Sequence, residues 1–169
     1  MFSANFHATK RLAEEDEYSG LSLVNQDRHV TIPWYRLGSV HAALADILSR
    51  NLYSYWKSMG GVPLSYGNVR FKSESGAAHV IDDQPCMHLD LKVDYVVFFP
   101  VVGGVYKGKV IRVEARGVTG RIHDCVPVFA TFKEGEECTG FAAGDAALFR
   151  VQQFKKDRRM MRLTAELLP

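Results

Sequence analysis

Three sets of residues in this sequence have types and spacings that could do chemistry. Cys86-x-His88 and His123-x-Cys125 are two Cys/His pairs. Residues two apart on a strand share a face, so together they would offer four zinc ligands. Their spacing matches no zinc pattern, and they fall in different halves of the chain, so no metal is expected. Asp82-Asp83, Asp90 and Asp94 could gather round a cation. However, Asp90 and Asp94 fall on the outward side of an alternating strand and Asp82-Asp83 in a loop, so solvated surface charge is expected. Gly60-Gly61 and Gly103-Gly104 lack the Gly-Lys-Ser/Thr ending of a phosphate loop. No Ser sits in a nucleophile elbow, and no Cys stands beside an evident base. The expectation is a non-catalytic protein without a cofactor.

Binding chemistry is better represented. Lys107 and Lys109 are two apart on one strand, Arg112 and Arg116 follow, and Arg121 precedes His123 on the next strand. Cations on one barrel face track a single-strand backbone, and aromatics there stack bases. Lys107, Lys109, Arg112 and Arg121 are therefore the candidate RNA contacts. Tyr106 and Phe129 are the candidate stackers, with Phe129 weighed toward the core. Lys155, Lys156, Arg158 and Arg159 form a second basic cluster at a hairpin tip, where solvation, RNA or an acidic partner all fit. Trp34 and Tyr35 follow Pro33 in a connection with little room to bury them. They suggest a protein-docking anchor, and Val62 and Pro63 extend the candidate docking surface.

The elements that must position these residues change character along the chain. Residues 1–20, with Glu14-Glu15-Asp16-Glu17, read as a flexible acidic arm without periodicity. Leu21, Leu23, Val30 and Ile32 are strand-like and flank a polar turn at 25–27. Ser39 is a plausible N-cap. Val40, Leu44, Ile47, Leu48, Leu52, Tyr55, Trp56 and Met59 then recur at helical spacing, which predicts one helix of about twenty residues. Gly60-Gly61 would end it. Residues 62–71 read as a strand, and 77–81 as a short one. From Met87 to Phe99 apolar and polar residues alternate until Val96 and Phe98 make both faces apolar. Beyond Pro100 and Gly103-Gly104 come five short strands, 105–114, 117–123, 126–132, 146–154 and 160–167. That is the count of a small Greek-key barrel of the OB type. The division is an arm at 1–20, an antiparallel sheet with one long helix at 21–100, and a barrel at 101–169. The fold class is α+β.

Composition bounds the rest. Of 169 residues, 47% are hydrophobic and 24% charged, which excludes a fibre or a wholly disordered chain. Cys86, Cys125 and Cys138 are too few and scattered for a disulfide framework, so reduced intracellular thiols are expected. Neither a membrane span nor a signal peptide is expected. Net charge is +2. Residues 1–99 carry 9 basic and 11 acidic residues, residues 100–169 carry 12 and 8, so the basic excess lies on the barrel half.

Taken in order, several segments resemble a known family. Gly61-Val62-Pro63-Leu64-Ser65-Tyr66-Gly67-Asn68-Val69, residues 82–100, Gly104-Val105-Tyr106-Lys107-Gly108-Lys109-Val110, Gly117-Val118-Thr119-Gly120-Arg121-Ile122-His123-Asp124-Cys125, Gly144-Asp145 with Phe149-Arg150-Val151, and residues 161–167 are similar to the larger, tip-plus-OB stalk subunit of eukaryotic RNA polymerase I. That family is homologous to the corresponding stalk subunits of RNA polymerases II and III and of archaeal RNA polymerase. The likeness runs over residues 21–168. Here Pro127 stands where the family has an Asn-Ala-Ser-Ile-like stretch, and Pro127 removes a ladder donor, which suggests an edge or a bulge. The next barrel loop is short, and the chain stops at Pro169 without a charged extension, as in a compact member. The resemblance implies a non-catalytic subunit of the transcription machinery in the nucleus and nucleolus. Its implied partners are polymerase I core subunits, a smaller stalk subunit, an initiation factor and nascent single-stranded RNA, with no membrane. The alternatives are a free-standing single-strand nucleic-acid-binding OB protein and the paralogous stalk subunit of polymerase II or III.

Overall fold

The computed structural model describes residues 3, 5–72, 78–131 and 140–168. They form two compact units. The first comprises residues 1–14, 22–52 and 63–97, and the second residues 15–21, 53–62 and 98–169. Cys138, and Ala77 and Phe132 at the ends of expected strands, lie outside the described residues.

In the first unit, β1 (Leu21–Pro33), β4 (Cys86–Phe98) and β2 (Val62–Phe71) lie side by side with β4 central, and the two-residue β3 (His79–Val80) pairs with β4. Residues 93–98 of β4 are all buried, as the switch from alternation to a continuous apolar run requires. β1 is one strand of 13 residues, so the polar turn expected at 25–27 does not form. Asn25 stays in the strand because its side-chain amide donates to Asp94.

Residues 6–15, read as part of an unordered arm, form α1 (Phe6–Glu15). Phe6 is its buried residue, and the reason is visible in β2. A Cβ on Gly67 would lie 2.5 Å from the Phe6 ring, so the missing side chain makes the seat. Thr9 shares a short hydrogen bond with the Ser65 hydroxyl, and the Ser3 N–H donates to the Tyr66 carbonyl at 2.7 Å. One aromatic and these polar links hold a segment whose acidic run had suggested only solvent.

The expected long helix is divided. A 3₁₀ turn (Trp34–Ser39) leads into α2 (Val40–Ser49), and the Ser39 side chain makes no cap hydrogen bond. Tyr53, at φ 62, turns the chain out of the helical region. Residues 53–62 then belong to the second unit, where Trp56 bridges Gly61 across a tight turn.

The second unit is a closed barrel of β5 (Val105–Glu114), β6 (Gly117–Ile122), β7 (Val126–Thr131), β9 (Met160–Leu168) and β8 (Ala146–Asp157), in that order. Neighbours are antiparallel except β7 with β9. Interior positions alternate along every strand. Val110, Val118, Ile122, Val128, Ala130, Val151 and Leu163 are buried, and Phe149 fills the lumen at 0% exposure. A Cβ on Gly108 or Gly120 would come within 2.9 Å of the Phe149 ring. Glycine at both positions is thus what lets one large ring occupy a small barrel. Pro127 pairs with Arg121, while β7 joins β9 only from Val128 onward, so the missing N–H falls before that ladder begins.

Two straps complete this unit. The Phe99 N–H donates to the Gly20 carbonyl at 3.0 Å and the Lys107 N–H to the Tyr18 carbonyl at 3.1 Å. His123 Nε2–H donates to the Ser19 carbonyl at 2.6 Å. Gly20 holds φ 61, and a Cβ there would lie 2.3 Å from Tyr106. The second strap, residues 53–62, is tied by the Tyr55 N–H to the Arg159 carbonyl at 2.8 Å.

Candidate nucleic-acid interface

Strand parity carries Lys107 and Lys109 to the outside of β5 and Arg121 to the outside of β6, and all three are exposed. Lys109 and Arg121 are cross-strand partners. Like charges placed opposite each other destabilise a ladder, so this pair is favourable only beside an anion. Arg112, three residues from Lys109, should face the other way by simple alternation. A bulge between Val110 and Arg112 resets the parity, and Arg112 becomes the partner of Thr119 on the outer face. Thr119 in turn is the partner of Phe129, which is 37% exposed. The four candidate cations therefore share one surface with one aromatic ring. Among the described residues, Arg112 is the one of the four with an ion-pair partner, Glu114 at 3.4 Å, across an exposed and easily screened pair.

The two proposed stackers exchange roles. Tyr106 is 6% exposed. Its hydroxyl accepts from the Val101 N–H at 2.9 Å and donates to the Phe99 carbonyl at 3.3 Å, and its ring meets Phe98 edge-on. It is a core residue, whereas Phe129 faces outward. Parity from Val128 and Ala130, both interior, carried the signal for Phe129.

The candidate docking residues do not form one surface. Tyr35 is 85% exposed and Trp34 39%, and Leu37 beside them is 45% exposed. The Trp34 N–H is anchored to the Pro85 carbonyl at 3.2 Å. Val62 is 2% exposed and Pro63 is buried. They act in the protein's own packing, because the start of β2 needs apolar residues on both faces.

The Cys/His pairs and carboxylates also resolve. In the first unit a chain of hydrogen bonds runs from Asp90 to His29 Nδ1 at 2.8 Å, from His29 Nε2 to His88 Nδ1 at 3.0 Å, and from His88 Nε2 to Gln84 Oε1 at 2.6 Å. Cys86 Sγ lies 3.7 Å from His88 Nε2. His88 thus turns different nitrogens to His29 and to Cys86, and one ion cannot take all three. The hydrogen bond from His29 holds Asp90 below the ordinary carboxylate value. In the second unit, burial pushes the Cys125 thiol up to about 12, which suits neither a nucleophile nor a ligand. No group of three or more His, Cys, Asp or Glu side chains is placed to hold a metal among the described residues.

Asp94 is the carboxylate that sequence reasoning placed wrongly. It is buried on β4, and its two oxygens accept from Asn25 of β1 at 2.6 Å and Asn68 of β2 at 2.8 Å. It laces the three strands together. Burial pushes its carboxyl up, the two amide donors pull it down more strongly, and the result lies below the ordinary value.

The model of the F10E9.4 N-terminal domain family matches residues 3–99, more than half of the chain. The mouse protein named DNA-directed RNA polymerase I subunit RPA43 is 31% identical over 108 residues, 64% of this chain and 32% of its own. The zebrafish RPA43 is 27% identical over 146 residues, 83% of this chain and 37% of its own. The Caenorhabditis elegans protein F10E9.4 is 28% identical over 103 residues, 60% of this chain and 38% of its own. This chain is homologous to RPA43 and spans about a third of the length of the curated relatives it matches. On the match over residues 3–99, the chain belongs to the F10E9.4 N-terminal domain family.

Proposed function

We propose that the protein is a stalk subunit of RNA polymerase I, non-catalytic, acting in the nucleus and nucleolus. The observation that carries this reading is the homology to RPA43, which reaches across 83% of the chain in the zebrafish comparison. The residue 21–100 portion is the tip domain and docks on core subunits, and residues 101–169 are the OB-type barrel. Trp34 and Tyr35 are the anchors of that docking, being exposed aromatics on a rigid turn whose backbone is tied to Pro85. A smaller stalk subunit and an initiation factor are its further partners. The outer barrel face of Lys107, Lys109, Arg112, Arg121 and Phe129 contacts nascent RNA through backbone charge, with little base selectivity.

The docking claim is tested by capture. Tagged chain bearing Trp34→Ala and Tyr35→Ala should fold normally, since both side chains are exposed, and recover at least tenfold less polymerase core than the unaltered chain. Equal recovery would remove these residues from the docking surface. Clean monomer behaviour, with oligonucleotide binding but no polymerase recovered by either protein, would favour a free-standing single-strand-binding protein.

A further inference from the structure

The net positive charge of the barrel half is not spread over it. Residues 155–162, the end of the β8–β9 hairpin, hold Lys155, Lys156, Arg158, Arg159 and Arg162 against Asp157, a net of +4. The remainder of residues 100–169 holds seven basic and seven acidic residues. This one turn of chain alone carries a charge equal to the net excess of the whole barrel half. The outer face of β5 and β6 carries Lys107, Lys109, Arg112 and Arg121 against Glu114, a net of +3, but Arg112 is paired with Glu114 there and the strap bearing Asp16 and Glu17 joins β5 at Lys107.

The hairpin keeps these cations against its own local preferences. Lys155 and Arg162 are cross-strand partners, a like-charged pair. Arg158 occupies the tight turn at φ 43, a left-handed position that favours Gly or Asn. None of the five forms an ion pair among the described residues. Lys156 is the one held inward, 5.2 Å from the Tyr55 ring centroid and 4.9 Å from that of Phe154. Within residues 155–162 the exposed large apolar side chain is Met160, against five exposed cations, so the hairpin end lacks the apolar centre of a protein interface.

We propose that the β8–β9 hairpin tip is a binding site for a nucleic-acid phosphate backbone, with Lys155, Arg158, Arg159 and Arg162 as the contacting groups. This deepens the RNA-contact reading above, on which it rests, and moves the main contact from the β5–β6 face to the hairpin. Tip and face are far apart. Lys109 pairs with Ala146 at the start of β8, nine residues before Lys155, or roughly 30 Å at strand rise. Cations without stacking rings or a groove neutralise phosphates but read no bases. Edge lysines can instead serve only to block strand pairing between copies, and the test separates the two.

Binding of a short oligouridylate to the full chain is measured by anisotropy over a fourfold range of salt. Four single-strand contacts give a log–log slope of about 2.8, so affinity should fall roughly fiftyfold. The Lys155→Gln, Arg158→Asn, Arg162→Gln variant keeps one contact and should lose only about threefold over the same range. Lys107→Gln with Lys109→Gln should lower the slope less than the hairpin variant does. Two single changes remove any ambiguity from folding. Lys155→Glu faces Arg162 with an opposite charge, and Arg158→Gly relieves the turn, so each should raise the melting temperature while weakening binding about fivefold or more. Stabilised variants that bind as before would overturn the proposal, as would aggregation without loss of binding, which marks an edge guard. If the face variant alone loses the slope, the hairpin proposal fails and the RNA reading stands. If the unaltered chain binds no oligouridylate, the RNA reading itself fails. Equal affinity for polyglutamate of matched charge would assign the tip to an acidic protein and also overturn the proposal.

Discussion

Asp94→Ala should destabilise the first unit more than any other change to a carboxylate in it. Two oxygens of one buried carboxylate accept side-chain amide hydrogen bonds from strands on either side. Hydrogen bonds to a charged acceptor contribute roughly 1.5–3 kcal/mol each. The freed Asn25 and Asn68 amides recover part of this by rehydrating, so a net loss of about 2–4 kcal/mol is expected. For a unit of this size each kcal/mol moves the midpoint by roughly 4–8 °C, which gives a fall of about 10–25 °C. Asp94→Asn keeps the shape but sets an amide against an amide on one side, and should lose less than half as much. The pH dependence has a definite sign. The folded carboxyl titrates below the unfolded one, so its stabilisation is present above the unfolded value of about 4 and is lost as pH falls through the folded value. Calorimetry from neutral pH to about pH 3 should show the difference between wild type and Asp94→Asn shrinking with acid. A constant difference, or a loss under 1 kcal/mol for Asp94→Ala, would refute the claim that this carboxylate laces the sheet.

Two further changes probe the barrel. Gly120→Val would drive methyl groups into the Phe149 ring and the Lys109 carbonyl. It should cost about 3 kcal/mol or more through overpacking, read as a lowered urea midpoint with the first unit's transition unmoved. His123→Ala removes the bond to Ser19 and the ring contact with Phe98, for a loss of about 1–2 kcal/mol. Burial holds the His123 imidazole below its ordinary value, so its folded form resists protonation. The wild-type second unit should therefore lose stability as pH falls below about 6.5, and the variant should lose less.

The barrel was legible because period-2 burial is written directly into short strands. Val105, Val118, Val126, Ala147 and Met161 each sit within a residue or two of a strand start separated by turn signals. The α2 segment misled because Tyr55 and Trp56 continue its 3–4 spacing, yet they are buried in a different unit. Apolar spacing shows that a face is buried but not against what. The α1 helix is seated by a single ring over Gly67 and a few polar links, too small a signal against four acidic residues in a row. Asp94 looked solvated because alternation marks a face as polar without revealing two amides waiting across it. Of the candidate interface, Lys107, Lys109 and Arg121 follow from parity. Arg112 reaches the same face through a bulge that no residue pattern announces. The hairpin's left-handed Arg158 required backbone angles.

The polymerase reading is tested most directly by what travels with the protein. Tagged full chain, expressed at native level in its own cells, is purified from nuclear extract in moderate salt and the co-purifying subunits are identified by mass spectrometry. Stoichiometric recovery of the large RNA polymerase I subunits with a smaller stalk partner is the expected result. Recovery of RNA polymerase II or III subunits instead, or of no polymerase at all, would contradict it.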